Sequence, residues 1–490
     1  MGGRRDRPWI IGGSLLLLAF LCMLAKATQF YGFALNDYDT GIYGNVAWNI
    51  GHGEGFHSDV LNRNHLAVHF SPLTALFAPF YALFPTPMVL MIGQGLAAGI
   101  TLFLLYRAGM NLMQDGVPAE RRGRIALGFC LLAFVYGPFT NALLSHFHPP
   151  TVAMPILAGC LLALIERRTW LLVLLIPLLL SAKENAPLAV VGLGVYAALV
   201  QGRWMLGVVL GAIGVASLAL ILLVIMPAFQ DETWIMASRF QPLALLGDKA
   251  LYLVLLLLPL AFLPLFAWRA AAAALPLIAV NLASGYEGQL ALKYHYNDLI
   301  SVFLLVAAMH GFNRVPALRF PAIAKPAMVL GAAILLALVA NKGRSPITET
   351  VKYWPKAEDW ALHRALAPYR QAPPDQAILA QSGLGPYLSN RHRYVMLTDS
   401  WKAEDLAPGD LILLSDVAGD FLVDVGKSRA RLEAMERIDV VSTSAALSVY
   451  RVRGEPGAGR TPSADRTPSA GGTRWHRADQ TPVIIRSNHP

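Results

Sequence analysis

From Trp9 to Ala340 the chain is almost continuously apolar, and the breaks in the apolar runs alternate between two chemical kinds. One kind is basic: Arg107 with Arg121, Arg122 and Arg124; Arg167 and Arg168; Arg203; Arg269; then Arg314, Arg319 and Lys325. The other holds acids, histidines and amides: Asn36-Asp37-Tyr38-Asp39, His65 to His69, His146-Phe147-His148, Lys183-Glu184-Asn185 and Tyr294-His295-Tyr296-Asn297-Asp298. Arg and Lys collect in the cytoplasmic loops of multispanning membrane proteins. The second set is therefore expected on the opposite side. The pattern predicts an α-helical polytopic membrane protein of about 11 spans, N-terminus cytoplasmic, at 9–25, 87–106, 125–143, 151–165, 169–182, 186–200, 205–226, 250–268, 270–284, 298–312 and 326–340. Residues 28–70 form a first outer loop. The apolar stretch Ser71–Phe84 falls short of the ~20 residues a straight span needs. Counting it as a crossing would turn every basic loop outward, so it is read as re-entrant or interfacial.

After Ala340 the pattern changes to short runs of strand character at 377–380, 394–397, 410–414 and 446–452, with helical stretches at 357–369 and 427–437. This predicts a transmembrane domain over 1–344 and a small C-terminal α/β domain over 345–453, which the odd span count places outside the cell. From 454 to 490 the chain is of low complexity, with Arg460-Thr-Pro-Ser-Ala464 repeated at Arg466–Ala470, and is expected to be disordered. The start, with Arg4, Arg5 and Arg7 before an apolar run, fits a signal peptide. The run is long enough to cross a bilayer, so an uncleaved first span is preferred.

Composition supports a lipid solvent. Only 14% of the 490 residues are charged and mean hydropathy is +0.48, against roughly 25% charged in soluble proteins. The net charge of +9 is spread over short loops and the C-terminal region, so it reads as topology and not as a nucleic-acid surface. Cys22, Cys130 and Cys160 all lie in apolar spans and draw no disulfide or zinc framework.

The chemistry-bearing residues gather in the second set. Asp37 and Asp39 would serve as a general base or hold a divalent cation through oxygen ligands. An ordinary solvated loop with a helix-capping Asp is the plain alternative. Seven of the twelve histidines (52, 57, 65, 69, 146, 148 and 295) fall on the expected outer face. The spacings His65-x-x-x-His69 and His146-x-His148 permit metal ligation, but no cysteine assists, and recognition of a phosphate or sugar hydroxyl is the favoured role. No cofactor is demanded, and a divalent cation stays open.

Tyr38-Asp39-Thr40-Gly41-Ile42-Tyr43 with Ala47-Trp48-Asn49, then His69-Phe70-Ser71-Pro72 and Ala78-Pro79-Phe80-Tyr81, resembles the opening signature of the bacterial membrane family called domain of unknown function 2079. The resemblance continues through Phe147-His148-Pro149, Lys183-Glu184, His295-Tyr296 and Pro386-Tyr387-Leu388-Ser389-Asn390-Arg391, covering roughly residues 30 to 450. That family is similar in layout to the C-type glycosyltransferases (GT-C), multispanning enzymes that use lipid-phosphate-linked sugars and carry an acid in the first outer loop. The resemblance implies Asp39 as that acid. Asn185 stands where the family has an acid after Lys-Glu, and Asp37 has no counterpart, so an Asp-x-Asp metal site draws no support from it.

The resemblance therefore implies an enzyme of the bacterial inner membrane that moves a sugar from a polyprenyl-phosphate donor to an extracytoplasmic acceptor. Asp39 would be the catalytic base. His69, His148, Lys183, Glu184, His295 and Tyr296 would bind substrate, with Lys183 and His148 on the donor phosphate and Glu184 holding Lys183. The alternative from another class is a transporter or lipid-handling protein, since charges within membrane spans often mark such pathways. The outer domain would bind acceptor, cover the site, or act as a passive cap. Gly383-x-Gly385 before Pro386 is too short for a phosphate loop.

Overall fold

The computed structural model describes residues 8–113, 119–229, 240–315, 326–420 and 422–454. The basic start before Pro8 and the repeat-bearing tail from 455 lie outside these residues. Among the described residues three helices are single, apolar and long enough to cross a bilayer: Trp9–Tyr31, Met88–Leu112 and Trp204–Phe229. The other expected spans are shorter or bent, and the chain shows why. The span expected at 125–143 is two helices, Arg121–Val135 and Gly137–Leu144, bent by 57°. Pro138 cannot donate to the carbonyl of Phe134, and the Thr140 hydroxyl takes that acceptor at 3.0 Å.

The span expected at 250–268 likewise breaks after the helix Leu246–Leu257. Pro259 and Pro264 interrupt it, and Ala261 and Phe262 turn left-handed at φ 50° and 54°. Ser71–Phe84 becomes a 3₁₀ turn, Pro72–Phe77, running into the helix Ala78–Leu83. This short helical segment packs against the helix Ile42–Gly51 before Met88 starts the next long helix.

Hydrogen bonds gather the interruptions at two ends of the bundle. At one end Asn313 reaches the carbonyl of Leu112, Arg314 that of Phe266, and Gln201 that of Leu164. Arg107 pairs there with Glu166. At the other end lie the turn after Tyr31, the 145–148 loop, Lys183-Glu184, the 293–297 loop and the start of the C-terminal region. The alternation in the sequence is therefore a real partition of the structure.

The expected first loop is more ordered than its composition suggests. The first helix continues to Tyr31, and a π turn, Asp37–Gly41, leads into Ile42–Gly51. A two-stranded hairpin comes next, β1 His57–Ser58 with β2 Arg63–Asn64.

The C-terminal region holds a five-stranded sheet of β3 Ile378–Ala380, β4 Tyr394–Met396, β5 Leu411–Leu414, β6 Ile438–Thr443 and β7 Ser448–Val452. The strand order is β4-β3-β5-β7-β6. β3 runs parallel to β4 and β5, and the β5-β7 and β7-β6 pairs are antiparallel. The period-two alternation of strands divides its side chains. Ile378, Ala380, Leu411, Leu413 and Val449 share one buried cluster with the membrane helices. Leu379, Ile412, Leu414, Tyr450 and Val452 pack with Trp401, Leu406 and Leu432 in a second. Continuous runs such as Leu411-Ile412-Leu413-Leu414 reflect burial on both faces.

Candidate functional site

The first outer turn decides which carboxylate faces what. After Asn36, in extended backbone, Gly41 N–H reaches back to the carbonyl of Asn36 at 3.2 Å and closes the wide π turn. A side chain at 41 would overlap the Asp37 carboxylate, so glycine is required there. Two residues apart on a helical turn, Asp37 and Asp39 point to nearly opposite sides. Asp37 is fully buried and accepts a 2.6 Å hydrogen bond from Tyr394 of β4. Its backbone meets Ser382, and Gly385 lies so close that a Cβ would collide with its carboxylate. Burial raises the Asp37 pKa well above the ordinary value.

Asp39 turns the other way, toward Lys183 and His69. It is partly buried, and no described residue hydrogen-bonds or ion-pairs with its carboxylate. Burial raises its pKa while Lys183 and His69 oppose the shift. Thr40, the next residue, accepts the backbone N–H of Phe147 and ties the turn to the 145–148 loop.

Glu184 is locked. Its two oxygens meet His69 Nδ1 at 3.0 Å and the Phe70 N–H at 3.2 Å. Burial would raise its pKa, but the His69 charge and hydrogen bond, with Lys183, overcome this and hold it down at about 2. The expectation that Glu184 holds Lys183 needs correction. Adjacent side chains at 183 and 184 diverge, and Lys183 Nζ instead meets His148 Nε2 at 3.1 Å. His148 in turn stacks on His295, ring centroids 3.7 Å apart, and His295 lies 4.4 Å from the Tyr296 ring. Tyr296 thus sits at the edge of the group, joined through His295.

The fold therefore brings Asp39, His69, Glu184, Lys183, His148 and His295 to one end of the bundle from five separate stretches of chain. The expected histidine pairs do not converge as metal ligands. His65 and His69 rings are 6.0 Å apart, and His146 bonds Asn36 instead. Among the described residues no group of three or more His, Cys, Asp or Glu is placed to hold a metal ion.

Two residues outside the expected set organise this end. Gln94, buried in the apolar helix Met88–Leu112, donates to the carbonyl of Leu143 at 2.8 Å and accepts the His148 N–H at 2.9 Å. An amide in the first half of a 25-residue apolar helix, far from the polar residues at its other end, was the available signal. Tyr43 packs edge-on to His65, Phe147 and His148 at 4.8, 5.5 and 6.2 Å.

The motif 386–391 serves docking. Tyr387 donates to the carbonyl of Phe30, and Asn45 bonds the carbonyls of Ser389 and Arg391. The buried Arg391 binds the carbonyls of Leu388, Gln376 and Tyr369. Gly385 before it allows close approach to Asp37, and Gly383 to the backbone of Gly419.

The model of the family described as predicted membrane protein, domain of unknown function 2079, matches residues 29–450. The chain belongs to that family. The solved structures that share its fold include two of ArnT from Cupriavidus metallidurans. The crystal structure bound to undecaprenyl phosphate aligns at a TM-score of 0.55 with 12% identity, covering 91% of this chain and 98% of that one. The apo crystal structure aligns at 0.51 with 11% identity, covering 90% and 98%. No curated protein matches in sequence. The expected GT-C-like membrane fold with a small C-terminal sheet is therefore the fold of this DUF2079 chain.

Proposed function

We propose that this DUF2079 chain is an integral-membrane glycosyltransferase that takes a sugar from a polyprenyl-phosphate donor and passes it to an extracytoplasmic acceptor. The acceptor hydroxyl oxygen attacks the anomeric carbon and its proton passes to Asp39. The bond from that carbon to the phosphate oxygen breaks, and the polyprenyl phosphate leaves with the electron pair. Lys183 and His148 stabilise the leaving charge, as preorganised donors do. His69 and Glu184 keep the loop at 69–70 against the 183–184 turn, and His295 with Tyr296 walls the donor pocket. The observation that carries this reading is the Asp39 carboxylate, unengaged among the described residues and turned toward Lys183 while its neighbours Asp37 and Glu184 are tied down. The fold shared with an undecaprenyl-phosphate-bound ArnT supports the donor class.

The test supplies membranes containing the full chain with candidate polyprenyl-phosphate sugars. Transfer by wild type and its loss in Asp39→Asn are expected; wild-type-like transfer by the variant removes Asp39 from the mechanism. The reading also sets the site and the C-terminal sheet outside the bacterial inner membrane, because the arginine-rich end takes the cytoplasm. A reporter fused after Val452 should be active only outside. Activity confined to the cytoplasm overturns the orientation.

A further inference from the structure

Beside the Lys183 cluster, on the far side of the 145–148 loop, a cavity of about 270 Å³ opens where the bundle meets the C-terminal region. Gln29, His146, Lys293, Tyr294, Arg344 and Glu349 contribute to its wall. No step of the proposed transfer uses it.

Its charge is lopsided. Arg344 makes a two-pronged pair with Glu349, using Nε at 3.2 Å and Nη2 at 3.0 Å. That pair accounts for one cation and one anion. Lys293 is exposed at the cavity and lies over the Tyr294 ring, 5.0 Å from its centroid. Lys26 is fully buried behind it and donates to the carbonyl of Ser145, another wall residue, at 2.6 Å. Among the described residues neither lysine has a carboxylate within ion-pair distance. Lys293 thus brings to the cavity a positive charge with no ion-pair partner among the described residues, while the charge of Glu349, paired with Arg344, also reaches the buried Lys26.

The wall also holds polar atoms without partners. Asn36 presents its amide N–H to His146 Nε2 at 3.1 Å. Nε2 is then the acceptor of the ring, and the proton of a neutral imidazole sits on Nδ1. That ring stays neutral: burial, with Lys26 and Arg344 adding to it, lowers its pKa to about 3. Nδ1 is a buried donor with no partner. Gln29 gives its amide N–H₂ to the Leu144 carbonyl at 2.7 Å and to Glu349 at 3.2 Å. Its Oε1 is a buried acceptor with no partner. One unfilled donor beside two lysines, and one unfilled acceptor, suit an anionic group carried next to a hydroxyl.

We infer that this cavity is a second substrate subsite, which takes a phosphate or carboxylate of the acceptor next to the hydroxyl that receives the sugar. Lys293 sets the charge, the His146 ring donates to the anion, and Gln29 accepts from a hydroxyl. Asn36, hydrogen-bonded to His146, precedes the turn that carries Asp39, so the cavity wall and the proposed base are joined through the chain. The inference rests on the transferase reading for the word acceptor, and on the cavity alone for the anion.

The test reads binding directly, with no turnover. Full-length protein in phosphatidylcholine nanodiscs is titrated with inorganic phosphate by calorimetry, and in parallel reconstituted with and without phosphatidylglycerol to score retained lipid. Wild type should bind one of the two probes. Lys293→Gln should weaken that binding about tenfold and Lys293→Glu should abolish it. Lys293 is exposed, so both variants are expected to fold, and a thermal melt checks this. Binding of free phosphate identifies a soluble anionic acceptor, whereas retention of phosphatidylglycerol alone identifies a lipid headgroup. No binding of either probe, or binding unchanged in Lys293→Glu, overturns the inference. If Lys293→Glu loses the probe while Asp39→Asn keeps transfer, the anion site stands and the transferase mechanism falls. If Asp39→Asn is dead while Lys293→Glu binds normally, the reverse holds.

Discussion

The two ends of the helical bundle handle their carboxylates differently. At the arginine-rich end, Glu166 receives Arg107 at 3.1 Å, Arg168 at 3.4 Å and the Asn111 amide at 3.0 Å. Both arginines are largely exposed, at 48% and 63%. Every charge in this group has a partner or water. At the other end the charges are buried, and several are left incomplete. Asp39 has no partner among the described residues, Lys183 meets a histidine in place of a carboxylate, and buried His65 has both ring nitrogens unpaired. An unmade hydrogen bond on a buried group costs about 1–3 kcal/mol. Buried atoms without partners occur at the arginine-rich end as well, at Gln201, Arg203 and Asn313, so what sets the other end apart is a carboxylate, Asp39, left beside a lysine and histidines. The difference lies in whether a carboxylate is matched by a cation: Glu166 is, and Asp39, among the described residues, is not.

Substitutions at the two ends should break or sharpen this contrast. The largest effect belongs to Asp39→Asn, which removes the base and should lower transfer by roughly 10²–10⁴-fold with little change in the thermal melt. Because its pKa is raised, the acid limb of the wild-type rate profile should lie above the pH of ~3.9 expected for a free Asp. An acid limb at or below that value would contradict the environment described for Asp39.

Next comes Glu184→Gln, which leaves His69 without its carboxylate in a buried setting and should cost about 3–5 kcal/mol, read as a lowered unfolding midpoint in detergent. Glu184 is held below its ordinary 4.5 at about 2. Its contribution is therefore complete above pH 4.5 and disappears as pH falls from there toward 2. A smaller loss, about 1–3 kcal/mol of overpacking, is expected for Gly385→Ala, whose new methyl collides with Asp37. Protease sensitivity of the C-terminal sheet would report it. The least effect should come from Glu166→Gln at the arginine end, no more than ~1 kcal/mol for so exposed a cluster. A loss there as large as that of Glu184→Gln would erase the contrast.

The partition of the bundle was legible because polar breaks in an apolar chain report sidedness directly. Four of the five strands of the C-terminal sheet were legible from apolar runs. β6 was not: its residues 439–443 are mostly exposed on an edge strand, and the helix expected at 427–437 ends at Glu433. That the polar breaks meet at one end was legible too, yet the pairings within them were not. Whether Glu184 meets Lys183 or His69 depends on how the 69–70 loop folds back onto the 183–184 turn, which no local pattern encodes. Asp37 and Asp39 look equivalent in the sequence, and only the π turn closed by Gly41 assigns them to different neighbours. The breaks at Pro138, Pro259 and Pro264 were written in the chain but overridden by hydropathy, since lipid-buried helices tolerate proline when another group satisfies the freed carbonyl.

The sheet that is apolar on both sides also bears on how the protein is made. Residues beyond 345 leave the ribosome after the helices they must lean on. Ile378, Leu411, Leu413 and Val449 then have nowhere to hide until they meet the inserted bundle. Burial of that face thus waits on contact with the bundle. A fragment carrying residues 345–453 alone should bind a hydrophobic dye and self-associate, whereas the same residues on an assembled bundle stay soluble and silent.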